Sequence, residues 1–214
     1  MMKKKRPSRR GMAKNNQVVI VGRIKEEFSF DHKWKGEEFY VTTVAVRRDK
    51  DSVDTIPLMI TKKMKDEKFS GKEYVRKKVE IIGQFRSYNK WGNDRKSHLK
   101  LFCFVEKIDF VNLDVDDKNE IFLRGFICKK PVYRITPKSK SPISDLLIAV
   151  NRKLGKSDYL PCIAWDENAV SAGIMDVGDC IEITGRIQSR MYPKDGEWKV
   201  AYEISIIRMK KIEE

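Results

Sequence analysis

Short runs in which apolar and polar residues alternate recur along most of the chain, and few stretches carry the three-to-four-residue spacing of an amphipathic helix. Residues 17–25, 38–47, 53–60, 78–88 and 97–110 are rich in Val, Ile, Phe and Thr and are separated by charged or Gly-containing turns, which predicts five strands. Between the third and fourth, 62–74 is polar with a weak helical pattern around Met64, Phe69 and Tyr74. The short acidic stretch 113–118 then reads as a linker. After it the pattern begins again, with strands predicted at 119–129, 145–152, 157–165, 179–192 and 197–210 and a helix at 167–175.

The recurrence extends to particular residues. Asn16 and Gly22 return as Asn119 and Gly125, and Ala45-Val46-Arg47-Arg48 returns as Ala149-Val150-Asn151-Arg152. Asp54-Thr55-Ile56-Pro57 returns as Asp158-Tyr159-Leu160-Pro161, and Val79-Glu80-Ile81-Ile82-Gly83 as Ile181-Glu182-Ile183-Thr184-Gly185. Matches in one order at offsets of 102 to 104 residues indicate a duplicated domain. A unit of five strands with one helix before the fourth fits the OB-fold, a Greek-key barrel whose strand face binds oligonucleotides. The expected fold is therefore all-β with minor helix: two tandem five-stranded OB barrels, 15–112 and 119–214, joined by 113–118 and preceded by a disordered basic tail, 1–14.

On strand 157–165 a period of two places Tyr159, Pro161, Ile163 and Trp165 on one face and Leu160, Cys162 and Ala164 on the other. The second face is small and apolar enough to close a core. The first lifts two rings from a rigid strand in a chain of formal charge +14, which suits base stacking beside cations, although both rings could equally be core. Half of that charge lies in residues 1–14, which hold seven Lys or Arg and no acid. Strand 97–110 is apolar on both sides through Phe102 and Phe104, which fits either a contact with another domain or subunit or a wide core. Tyr192 and Trp198 flank a hairpin turn and could form a cross-strand pair. Trp34 sits in a loop, either as a mobile ring or packed on its own barrel.

Several classes are excluded. Four cysteines without close pairs and only two histidines fit neither zinc spacing nor a disulfide framework, and buried free thiols in a reducing cytoplasm suit them better. Neither an apolar run of membrane-spanning length nor a secretory signal is present, so no membrane partner is expected. The chain lacks a Gly-rich phosphate loop, a metal cluster and a nucleophile with a base. No catalytic residue, cofactor, metal or small-molecule substrate is expected, and the protein reads as a non-enzyme.

Asn119-Glu-Ile-Phe-Leu-Arg-Gly125, Ile148-Ala-Val-Asn-Arg152, Asp158-Tyr-Leu-Pro-Cys-Ile-Ala-Trp165 and Gly185-Arg-Ile-Gln-Ser-Arg-Met-Tyr192 resemble the bacterial single-stranded DNA-binding protein family. There an N-x-V/I-x-L-x-G start, a Trp-containing third strand and a G-R/Q-L-R-T-R-x-W/Y fourth strand follow in this order. The first half resembles the family only through Asn16, Gly22, Ala45-Val46 and Gly83-Gln-Phe-Arg-Ser-Tyr88. The resemblance implies that Tyr159, Trp165 and Tyr192 stack on bases and that Arg186, Gln188, Arg190 and Tyr192 share the DNA face of the fourth strand. It also implies a role for Arg134 and places Arg152 and Lys153 beside the groove, against phosphates. In the first half the third-strand stacking positions are Thr55 and Thr61, which leaves Arg86, Tyr88, Lys90 and Trp91 as a weaker, secondary site.

The implied role is sequence-nonspecific binding of single-stranded DNA during replication, recombination or repair, in a cytoplasmic, nucleoid-associated protein. The implied assembly is a homodimer presenting four OB domains. RNA as ligand is a variant of the same reading, because stacking does not read the ribose. An alternative is an adaptor of a primosome or mobile-element complex, with the first domain holding a protein. The family's acidic, aromatic-tipped tail is absent from 208–214, which favours that alternative.

Overall fold

Alternation along β1 (Asn16–Ile24) drives Val18 and Ile20 fully into a core while Gln17 and Arg23 face outward. The same rule builds β2 (Ser29–Trp34), β3 (Glu37–Arg47), β4 (Val53–Thr61), β5 (Lys78–Trp91) and β6 (Ser97–Phe110), with α1 (Lys62–Phe69) between β4 and β5. The second unit comprises β7 (Lys118–Ile135), β8 (Pro142–Asn151), β9 (Ser157–Trp165), α2 (Asp166–Gly173), β10 (Cys180–Lys194) and β11 (Glu197–Ile212). These elements come from a computed structural model that describes residues 15–91, 95, 97–137, 139–152, 155–194 and 196–213; the basic tail 1–14 lies outside them.

Each unit closes into a barrel of five strands. In the first, β1 pairs with β3 and β5, β3 with β4, β4 with β6 in parallel, and β6 with β5. In the second, β7, β8, β9, β11 and β10 repeat this circuit, with β9–β11 again parallel. This is the tandem OB architecture expected from the repeat. Two of its glycines are dictated by close approach: at Gly83 and Gly185, opposite bulges in β6 and β11, a Cβ would lie 2.3 Å from the carbonyl oxygen of Phe104 or Ser205.

Some boundaries depart from expectation. β2 was not foreseen; it pairs with β3 through a tight turn whose Lys35 and Gly36 both have positive φ, and Trp34 ends this strand where a loop was expected. β7 runs on to Ile135 past Pro131, with register shifts at 127–132 that accommodate the proline, so Arg134 belongs to a strand. α1 ends at Phe69, short of Tyr74, and α2 begins one residue earlier and ends two earlier than its pattern suggested. The acidic stretch after β6 is docked. Asp117 pairs with the Lys78 ammonium at 2.7 Å and accepts from the Arg47 amide, while Lys78 also donates to the Val115 carbonyl.

The barrels are joined by their first strands. β1 and β7 pair antiparallel from Asn16↔Leu123 to Val21↔Lys118, so all the strands form one continuous sheet. The repeated asparagines extend the contacts beyond these ladders. Asn16 gives its backbone to β7 while its carboxamide grips β5: Nδ2 donates to the Phe85 carbonyl at 2.6 Å and Oδ1 accepts from the Phe85 amide at 2.9 Å. Asn119 does the same with Ile187 of β10, at 2.6 and 3.0 Å.

The repeated aspartates, both buried, reach across the junction. Asp158 accepts from the Ser87 amide at 2.6 Å, and Ser87 Oγ accepts from the Tyr159 amide. Symmetrically, Asp54 accepts from the Ser189 amide at 3.1 Å, and Ser189 Oγ accepts from the Thr55 amide at 3.0 Å.

Candidate nucleic-acid interface

The outer face of β9 presents Tyr159 and Trp165, 47 % and 38 % exposed, above a strand whose other side is closed by Leu160, Cys162 and Ala164. Between the rings Pro161 is half-buried and Ile163 is buried, so the two ring planes rise from a filled floor. Trp165 stands immediately before α2 and provides no side-chain cap for it. In the first barrel the matching residue, Thr61, accepts from the Met64 amide at 3.3 Å and caps α1. One position therefore serves helix initiation in one barrel and carries a ring in the other.

β10, separated from β9 by β11, carries Arg186, Gln188, Arg190 and Tyr192, alternating with core-side Ile187. Gln188 Nε2 donates to Glu203 at 2.7 Å, and Arg190 lies 3.9 Å from the same carboxylate and over the Tyr192 ring. Tyr192 is half-buried and pairs with Lys199, whereas Trp198 pairs with Pro193 and is 69 % exposed; the two rings occupy opposite sides of the hairpin and form no cross-strand pair.

Two arginines expected at the DNA site already have partners. Arg152 Nε donates to Asp158 at 2.6 Å and its Nη2 to both Asp158 and the Ser87 carbonyl, so this guanidinium locks the barrels together instead of standing free beside the groove. Arg134 forms a forked pair with Asp145 at 2.9 to 3.2 Å, on an exposed surface. Lys153 lies outside the described residues.

The first barrel has a different face. Arg86 donates to Gln84 and stacks its guanidinium 4.1 Å from the Phe104 ring centre. Tyr88 leans on Phe102 and donates to Asp31 at 3.2 Å, and Lys90 lies 3.7 Å from the same carboxylate. Burial first, then the Asp31 charge, pushes the Tyr88 phenol up to about 12. His32 stacks on Phe39 at 4.9 Å, and Phe39 meets Phe104. The double-sided apolarity of β6 thus serves an aromatic cluster on the barrel's own outer face, built with β2 and β3; His32 and Phe39 escaped the sequence reading because β2 did. Trp91 ends β5. Trp34 is exposed, with Lys35 and, from the second barrel, Lys156 over its ring at 4.9 and 5.8 Å.

The single-strand binding protein family model matches residues 118–212. A single-stranded DNA-binding protein of Clostridium tetani (strain Massachusetts / E88) is 32% identical over 102 residues, which span 44% of this chain and 70% of that protein. The chain belongs to the single-strand binding protein family. Among solved structures, a deletion mutant of the single-stranded DNA binding protein from Thermus aquaticus superposes with a TM-score of 0.77 at 17% identity, covering 93% of this chain and 95% of that one. The wild-type Thermus aquaticus protein gives 0.72 at 18% identity, covering 93% of each. At such identity the likeness speaks for the fold, and it spans both barrels. No helix among the described residues is long and apolar enough to cross a membrane.

Proposed function

We propose that this family member binds single-stranded DNA without sequence preference, chiefly through the second barrel, 119–214. The observation that carries this reading is the pair Tyr159 and Trp165, rings half open to solvent on one rigid strand. A base stacked on such a ring contributes about 1–3 kcal/mol, independently of base identity because every base has a π-face. Arg186 and Arg190 add a phosphate term that weakens with salt. The first barrel, 15–112, is the weaker site: Thr55 and Thr61 offer no ring, Phe39 packs with Phe104, and Phe102 is buried against Tyr88. Two chains pairing to present four barrels is the assembly that follows from the family, with roles in replication, recombination or repair.

Titration of intrinsic Trp fluorescence with oligo-dT tests the reading. Replacing Tyr159 and Trp165 together by Ala weakens binding by more than about tenfold, whereas Thr55→Ala with Thr61→Ala changes it little. Equal losses from the two pairs would contradict it.

A further inference from the structure

The pseudo-two-fold relation between the barrels generates two junctions with the same parts: an arginine at the base of a hairpin turn, a buried aspartate, and an arginine from the fourth strand of the other barrel. At one junction Arg152 holds Asp158 and the Ser87 carbonyl, and the Arg86 beside it is satisfied by Gln84 and Phe104. That junction is closed.

At the other, Arg48 closes the β3–β4 turn by donating its amide to the Ser52 carbonyl, as Arg152 does toward Lys156. Its guanidinium, however, stays 3.8 Å from Asp54 and 3.7 Å from Asp49, beyond hydrogen-bond distance of either. Asp54 is committed to the Ser189 amide. Arg186 of β10 reaches this junction with its Nε shielded from solvent and without a hydrogen-bond partner, and its Nη2 makes only a long contact of 3.4 Å with Gln188. Burial first, then the charge of Arg48, pulls the Arg186 guanidinium below its ordinary value, with Asp54 and Asp49 opposing. Two guanidinium groups thus bear on one another, and the carboxylates between them leave donors over. Such a shielded, unmatched donor is the signature of a missing acceptor.

We propose that Arg48 and Arg186 together form a phosphate site at this open junction, where a DNA strand leaves the second barrel for the first. The site rests on the single-strand reading above and extends it: Arg48, from the first barrel, acts as the bridging cation, and the closed junction fixes the barrels so that the strand crosses on one side only. An Arg pair suits a tetrahedral phosphate because each planar fork can offer two parallel donors.

Salt-dependent binding of the full-length protein to two oligo-dT lengths provides the test: about 8 nucleotides, within the roughly 4–16 that one OB barrel occupies, and about 30, enough for both. Arg48→Gln should lower the slope of log K against log salt by about 0.7 on the long strand and weaken it about fivefold at 0.1 M salt, one phosphate contact's share, while leaving the short strand unchanged. Arg48→Lys, which keeps the charge, should retain the wild-type slope. An Arg48→Gln slope equal to wild type on the long strand, or an equal loss on both lengths, overturns the proposal. Wild-type protein that binds neither strand removes the single-strand reading itself, and the bridging site with it.

Discussion

Asn16 and Asn119 show how one side chain extends a contact past the end of a ladder. Residues 18–21 of β1 pair with β5 on one edge and β7 on the other, but the ladder to β5 stops at Val18; beyond it the Asn16 carboxamide, which mimics both halves of a peptide group, takes up the contact. Replacing Asn119 by Leu leaves the amide and carbonyl of Ile187 shielded and unmatched, at a cost of about 1–3 kcal/mol for each group. Urea unfolding should record a lower midpoint with an unchanged m-value. Thr61→Ala removes the cap of α1 and should cost about 1 kcal/mol in the same measurement while leaving oligo-dT affinity intact. A loss of affinity there would assign position 61 to the interface after all. These residues were conspicuous in the sequence because they repeat, yet their work was not legible. A two-partner asparagine can be understood only once β1 is known to pair with β7, and nothing local to Asp54 or Asp158 says that its partner lies about 70 to 135 residues away.

Among the elements, most strands were legible because their inner faces alternate cleanly. β2 was not, because Ser29-Phe-Asp-His-Lys-Trp34 carries charge at strand positions and its Lys35-Gly36 turn is a weaker signal than Asn-Gly. With β2 unseen, the aromatic cluster it covers was unseen too, and Phe102 and Phe104 were left without an explanation. The exposed rings of β9 followed from a period of two, whereas the pairing of Arg134 and Arg152 did not, since a charge count cannot show which cations are already neutralised. The β2–β5 contact has a titration signature. The Tyr88 phenol is raised from 10.0 to about 12, so the stability it contributes is fully present below pH 10 and is lost as pH rises through about 12. Ultraviolet titration of phenolate should show a late-ionising tyrosine that disappears in Tyr88→Phe. If the latest ionisation survives that substitution, Tyr88 is not the phenol that burial beside Asp31 holds up.

At the scale of the whole molecule, the two barrels are bound by a shared ladder and by two buried aspartates, and the asymmetry between the junctions sets how firmly. Asp158 is almost wholly buried, and Arg152 beside it is largely shielded, so removing the carboxylate strands a guanidinium and two backbone or hydroxyl donors at once. Breaking a buried pair in this way costs about 3–5 kcal/mol. Asp54 faces a looser Arg48 at 3.8 Å, so its loss removes mainly the bond from the Ser189 amide and costs less. Because β1 and β7 carry the core residues of both barrels, the wild-type protein should melt in a single calorimetric transition. Asp158→Ala should lower that transition more than Asp54→Ala, and the double substitution should split it in two, one for each barrel, as the β1–β7 ladder and a few serine contacts are then what couples them. A single sharp transition in the double variant would mean that the ladder alone makes the barrels one cooperative unit and that the aspartate clamps are not what joins them.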